Sequence, residues 1–270
     1  MKMLRRKEDN MANLYMNFRS DCLSRSVYPV VFLPDYNGWN DCQPPYRTLY
    51  FLPGYSGGAL ETATFTNFAL YAMKYGIAIV LVDGENSFYV DDEKRGAMFS
   101  QYVGREIVEA TRAVLPLSHK REDTFIGGIS MGGYGALVNG LRYGDTFSKI
   151  AMLSPALELR ERCLKDPASC PAPMSELLET LGTEKDYANT YKDYLYASQK
   201  VIGEKKLPEI FLGCGKQDEL VIDACRRYAR VMDALGHPID VYEPDGLHDH
   251  DFWKQAMTPL CEFITKEGGK

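Results

Sequence analysis

Ser130 stands in the stretch Gly128-Ile129-Ser130-Met131-Gly132, between an apolar run at 124–129 and a glycine- and alanine-rich segment that opens a helix. A serine at such a strand-to-helix elbow is lifted clear of a sheet, because flanking glycines let the two backbones pass closely. Its hydroxyl is a poor nucleophile at neutral pH. Acyl-transfer chemistry there requires an imidazole to take the proton and a carboxylate to orient that imidazole. The plainer reading of the same residues is a tight glycine turn packing a helix onto a strand. The strand before Ser130 and the helix after it favour the nucleophile.

The chain has four histidines. His119 lies near the start of the strand that carries Ser130, and His237 directly precedes the last strand, so both fall at the wrong end of a parallel sheet. Working groups in open α/β sheets collect beyond the carboxyl ends of the strands. That leaves the loop Glu243-Pro244-Asp245-Gly246-Leu247-His248-Asp249-His250. His248 is the first choice of base because it follows the glycine turn directly; His250 leads into the final helix and is suited to capping or packing it. For the acid, Asp218 follows the apolar strand at 209–212 through Gly213-Cys214-Gly215-Lys216-Gln217. It would accept the ring N–H of the base, whereas its bland role is to cap the helix that follows. Asp245 is the fallback. The chain order Ser, Asp, His is the one this kind of elbow uses.

A developing oxyanion needs backbone donors, one just after the nucleophile and one from a loop after an early strand. Met131 supplies the first. The loop Leu52-Pro53-Gly54-Tyr55-Ser56-Gly57-Gly58 offers the second, assigned to the amide of Tyr55 with Gly54 as neighbour, although a flexible glycine turn would look the same.

These residues need a scaffold. Strand patterns occur at 14–18, 27–33, 47–52, 77–82, 124–129, 149–153, 209–212 and 239–242, and helical patterns at 62–74, 101–115, 133–143, 220–235 and 251–265. The alternation predicts an α/β fold: a mostly parallel eight-stranded sheet with helices on both faces and an antiparallel hairpin from the first two strands at one edge. Residues 155–207 break the rhythm and read as a lid-like insertion over the active site, with two helices at 174–181 and 187–200. No internal repeat or low-complexity segment is present.

At 270 residues and 45% hydrophobic content, one large core in a single domain spanning 11–270 is expected. Residues 1–10 read as a disordered extension, with Met11 as an alternative start. A formal net charge of -6 argues against nucleic acid or anionic lipid as partner. No membrane span or signal peptide is legible, so a cytoplasmic location is expected. Seven cysteines, an odd number without paired motif spacing, fit reduced thiols; Cys163 and Cys170 are close enough to pair only in an oxidising compartment. Zinc spacing is absent, and neither a metal nor a cofactor is expected.

Together these stretches resemble the esterase D family of α/β-hydrolases, which includes tributyrin esterases, S-formylglutathione hydrolases, feruloyl and acetyl-xylan esterases and mycolyltransferases. The resemblance runs from Met11 to Ile264. It is carried by the 12–34 hairpin, the 52–57 loop, Asp83-Gly84-Glu85-Asn86-Ser87-Phe88-Tyr89, the Ser130 elbow through Ala136, Cys214 to Asp218, and Gly246-Leu247-His248-Asp249 with Phe252-Trp253. It is nearest to the compact tributyrin esterases. The resemblance implies an α/β-hydrolase fold, Ser130, Asp218 and His248 as catalytic residues, and the Tyr55 and Met131 amides as oxyanion donors. It implies hydrolysis of small-molecule esters with acetyl or butyryl groups, the alcohol being a decorated sugar or a plant-derived compound. Thioester hydrolysis or acyl transfer would use the same residues, and a noncatalytic binding protein on this scaffold is the remote alternative. Two positions depart from the pattern: Pro53 where many relatives have His, and His250 where many have Trp. Gly54, Asn86, Ser87, Tyr102 and His250 are the candidate pocket residues, with Phe88 and Tyr89 suited equally to pocket or core. A homo-oligomer is left open.

Overall fold

A computed structural model describes residues 12–34, 42–170, 174–202 and 207–266. The expectations for residues 1–10 and Met11 lie outside the described residues. The main sheet has eight strands: β1 (Ala12–Tyr15), β2 (Val30–Leu33), β3 (Arg47–Leu52), β4 (Ile77–Leu81), β5 (Thr124–Ile129), β6 (Lys149–Leu153), β7 (Glu209–Gly213) and β8 (Asp240–Tyr242). Their spatial order is β1-β2-β4-β3-β5-β6-β7-β8. β2 runs antiparallel to both neighbours, and every pairing from β4 to β8 is parallel. This is the α/β-hydrolase arrangement.

The central strands read as unbroken apolar runs because both faces are covered. In β3, Tyr50 and Leu52 point into one core with Val80, Ile126 and Met152, while Leu49 and Phe51 point into the other with Ile79, Phe125 and Leu153. Helix Met131–Arg142, the 155–207 segment and helix Ile222–Ala234 cover the first face; helices Phe68–Tyr75 and His250–Thr265 cover the second. The last helix is tied to the base of the sheet by Lys149, whose buried ammonium donates to the carbonyls of Phe263 at 3.0 Å and Lys266 at 2.6 Å. Arg47 donates to Thr265 O at 3.1 Å.

Several local features differ from expectation. The helix expected at 62–74 is two, Ala59–Phe65 and Phe68–Tyr75, because Thr66 turns extended and the Asn67 side chain accepts the Leu70 N–H to start the second. The helical stretch at 99–114 contains a π turn at Tyr102–Glu106. Between β1 and β2 the chain inserts a short hairpin, Phe18–Ser20 with Arg25–Val27. The region 155–207 holds helices Leu159–Lys165, Met174–Leu181, Glu184–Tyr187 and Tyr194–Val201 where two were expected; the capping box of Thr183 and the Asp193 cap each start a separate piece.

The expectation of seven reduced thiols is corrected. Cys163 and Cys170 form a disulfide with Cα atoms 4.8 Å apart, since the end of helix Leu159–Lys165 and the 3-10 turn Pro167–Ser169 fold the seven-residue separation back on itself. Cys214 and Cys225 are buried free thiols. Among the described residues no helix is long and apolar enough to cross a membrane, and no group of His, Cys, Asp or Glu is arranged to hold a metal ion.

Candidate active site

The chain leaves β3 toward β4 on one side and enters β5 on the other, so a crevice opens between the carboxyl ends of β3 and β5. Ser130 caps β5 there. Its backbone is held at φ 52° and ψ -115°, a left-handed conformation that costs a non-glycine residue about 1–3 kcal/mol. The strain is over-determined by its neighbours: Ser130 N–H donates to Leu153 O at 2.9 Å, and its carbonyl accepts from Tyr134 and Ala156 at 3.1 and 3.0 Å. Gly132 has to be glycine. A Cβ there would fall inside the carbonyl oxygens of Leu52 and Pro53, so its absence lets the elbow press against the end of β3.

His248 Nε2 lies 3.0 Å from Ser130 Oγ, and its Nδ1 lies 2.8 Å from Asp218 Oδ2. Asp218 has a fully buried side chain and His248 one about a fifth exposed. Burial pushes the Asp218 carboxyl up, but the hydrogen bonds it accepts, chiefly that of His248, together with the His248 charge more than offset it, and the group titrates below its ordinary value of 3.8. A buried anion beside an imidazole is the arrangement that fixes the ring tautomer with its free nitrogen toward the hydroxyl. The helix-cap role for Asp218 is reduced to one contact, Val221 N–H to Oδ1 at 3.3 Å, because the helix begins at Ile222.

The loops bearing Asp218 and His248 are zipped together. Cys214 N–H donates to Tyr242 O, Lys216 N–H to Pro244 O and Gln217 N–H to Gly246 O, while the Gln217 side chain accepts from Gly246 N–H at 2.7 Å. Gln217 was not legible as a site residue, since a glutamine in a turn carries no distinctive signal. Asp245, the fallback acid, is solvent-exposed and engaged with Gln217 and Lys216 rather than with either imidazole. His250 does not meet Ser130; its ring stacks on Phe65 with centroids 4.1 Å apart and stands edge-on to Trp253, which also contacts His248 edge-on.

Met131 is the first residue of its helix, so its N–H has no carbonyl one turn back to bond. Gly54 lies against the elbow, where a Cβ on it would come 3.5 Å from the Ser130 Cβ and 3.6 Å from the Ile129 carbonyl oxygen. Gly54, Tyr55, Ser130, Met131 and His248 all line one cavity of about 340 Å³. One wall is apolar, formed by Phe88, Ala156, Leu159 and Leu220. The other carries Glu61, Thr62, Phe65, His250 and Trp253. Arg162 ties the apolar wall to the acid loop by donating to the carbonyls of Glu219 and Leu220 at 3.0 and 2.8 Å.

Of the five candidate pocket residues, Gly54 and His250 line this cavity and three do not. Asn86 turns its side chain to the Ser56 N–H, the Ser87 hydroxyl is buried and accepts from Tyr89 N–H, and Tyr102 is buried against Phe18 and Phe99. Phe88 lines the cavity, whereas Tyr89 is core.

The family model named Esterase matches residues 20–264. The chain belongs to this esterase family. An acetyl esterase from Caldicellulosiruptor saccharolyticus is 34% identical over 282 residues, covering 95% of this chain and 99% of that protein. The substrate-bound structure of FphF, a fluorophosphonate-binding serine hydrolase of Staphylococcus aureus, is similar at 26% identity and a TM-score of 0.83 over 95% of this chain and 99% of that one. The S-formylglutathione hydrolase FrmB of Staphylococcus aureus gives 26% identity and 0.81, over 95% and 100%. A ferulic acid esterase at 21% identity and 0.76, covering 95% of this chain and 98% of that one, shares the fold. The esterase is thus an enzyme of the serine hydrolase class acting on carboxylic esters.

Proposed function

We propose that the esterase hydrolyses short-chain acyl esters, acetyl to butyryl, through Ser130, His248 and Asp218. His248 Nε2 takes the Ser130 proton as Oγ attacks the ester carbonyl. The N–H groups of Tyr55 and Met131 receive the negative charge on the carbonyl oxygen, each worth about 2.7–4 kcal/mol of transition-state stabilisation. His248 then returns the proton to the departing alcohol, and water attacks the acyl-enzyme by the same route. Asp218 keeps the imidazole oriented and stabilises its cationic form. The observation that carries this reading is the unbroken Ser130–His248–Asp218 hydrogen-bond chain opening into a cavity of about 340 Å³.

The acyl group is assigned to the apolar wall of Phe88, Ala156, Leu159 and Leu220, which has room for a few carbons. The alcohol is assigned to the side of Glu61, Phe65, His250 and Trp253, where aromatic faces and a carboxylate suit a sugar or a plant-derived alcohol. The likeness to an S-formylglutathione hydrolase makes thioester hydrolysis the second reading, since it needs the same groups.

A panel of p-nitrophenyl esters from acetate to octanoate, with S-formylglutathione alongside, tests the assignment. Wild type is expected to prefer acetate or butyrate, and Ser130→Ala and His248→Ala to lose several orders of magnitude in turnover. A fluorophosphonate probe should label Ser130. Labelling at another residue, or full turnover by Ser130→Ala, defeats the reading; faster turnover of S-formylglutathione than of any ester promotes the second one.

A further inference from the structure

An oxyanion hole works only if amides from two separate loops converge on one oxygen, and a loop as rich in glycine as 53–58 needs support from outside. The support comes from one short segment. Tyr89 Oη donates to the Pro53 carbonyl at 2.9 Å, Asn86 Oδ1 accepts from Ser56 N–H at 2.7 Å, and Asp83 Oδ1 accepts from Ala59 N–H. The contacts climb by three residues in one segment while descending by three in the other, so they form three rungs. Two of them grip the loop on either side of Gly54 and Tyr55. Proline at 53 brings no polar side chain, and its carbonyl is what the loop offers to be held.

The segment that supplies the rungs adopts an unusual backbone. Glu85, Asn86, Phe88 and Tyr89 all have left-handed φ, at 45°, 59°, 51° and 56°. Tyr89 is wholly buried between Gly84 and Gly135; a Cβ at Gly135 would lie 2.5 Å from the Tyr89 ring. Gly135 sits on helix Met131–Arg142, whose first residue carries the other donor. Tyr89 therefore touches the helix of one donor and hydrogen-bonds the loop of the other. Burial, with the Asp83 charge adding to it, pushes the Tyr89 phenol well above its ordinary value, so the hydroxyl keeps the proton it donates.

We infer that Asp83, Asn86 and Tyr89 are positioning residues of the oxyanion hole, a side-chain ladder that fixes the Tyr55 amide relative to the Met131 amide. The inference rests on the serine esterase reading given above.

Tyr89→Phe and Asn86→Gly test it, the glycine removing the acceptor without penalising the left-handed backbone. Each is expected to lower kcat on p-nitrophenyl acetate about 10- to 100-fold, less than the ~10²–10³-fold of losing a donor outright, with KM within about twofold. Affinity for an alkyl trifluoromethyl ketone, whose adduct with the serine puts an oxyanion in the hole, is expected to fall by the same factor. A merely structural role would lower Tm and leave the fully folded enzyme's kcat and ketone affinity intact. That result, or a kcat loss with unchanged ketone affinity, overturns the ladder. If Tyr89→Phe does not fold, half-buried Asn86→Gly decides alone. Wild type inert to esters and to the fluorophosphonate would instead defeat the underlying serine reading.

Discussion

Asp218→Asn is the substitution whose consequence can be worked most fully from the site. The carboxylate accepts on both oxygens, Oδ2 from His248 Nδ1 at 2.8 Å and Oδ1 from Val221 N–H at 3.3 Å. An amide has a single acceptor. If its oxygen stays with Val221, its NH₂ faces His248 Nδ1, which must then accept, and the ring proton moves to Nε2, the atom facing Ser130 Oγ. The hydroxyl proton has nowhere to go. If the amide turns over, two donors meet at Val221 in a site closed to water, which costs about 1–3 kcal/mol. The variant also loses the charge-assisted bond that steadies the imidazolium, about 1.5–3 kcal/mol. Together these raise the barrier by about 2.5–6 kcal/mol, or roughly 10²–10⁴-fold in kcat at about 1.36 kcal/mol per decade. The assay is kcat on p-nitrophenyl acetate, with the fluorophosphonate labelling rate beside it, because labelling needs the same proton transfer and should slow in parallel. A variant that folds normally and keeps kcat within tenfold of wild type would refute the role of Asp218 and the tautomer argument with it.

The ionised Asp218 also stabilises the fold, because its native-state value lies below the ordinary 3.8. That contribution is fully present above pH 3.8, fades as pH falls through the lower native value, and should be missing from the acid limb of a Tm-against-pH curve for Asp218→Asn. Leu159→Ala shortens the apolar wall, and at about 0.8 kcal/mol per buried methylene the ratio of kcat/KM for hexanoate over butyrate should rise about tenfold; an unchanged ratio in the ester panel would remove Leu159 from the acyl site. Lys149→Met strips two carbonyls at the end of the last helix of their donor and should cost about 2 kcal/mol, a Tm loss of about 4–8 °C by calorimetry, with kcat at 25 °C retained.

Much of this architecture is legible in the residues because its signals are local. Unbroken apolar runs such as Ile77–Leu81 and Thr124–Ile129 announce strands covered on both faces, and the elbow glycines announce a close crossing that nothing larger than a hydrogen permits. His248 and Asp218 follow from the rule that chemistry gathers beyond the strand ends, and the structure brings both to Ser130. The rest depends on side-chain direction and on long-range closure. Asn86, Ser87 and Tyr102 sit near the site in sequence pattern, but left-handed turns at 85–89 and the π turn at 102–106 aim their side chains away from the cavity. The pairing of Cys163 with Cys170 follows from a helix end and a 3-10 turn that cysteine counting does not see. Gln217 holds two loops together through contacts 28 to 29 residues distant, and no local pattern encodes that.

Arg162 reaches out of the 155–207 segment to hold the two carbonyls that follow the acid's turn. Under the proposed function, remodelling that segment to accommodate bulkier acyl groups would therefore not be modular: whatever replaces the guanidinium also sets how firmly the turn that carries Asp218 is seated. Because the bonds go to main-chain carbonyls, the coupling depends on the donor at 162 and not on which side chains stand at 219 and 220, so a chimera that keeps the guanidinium should keep turnover while its breadth changes.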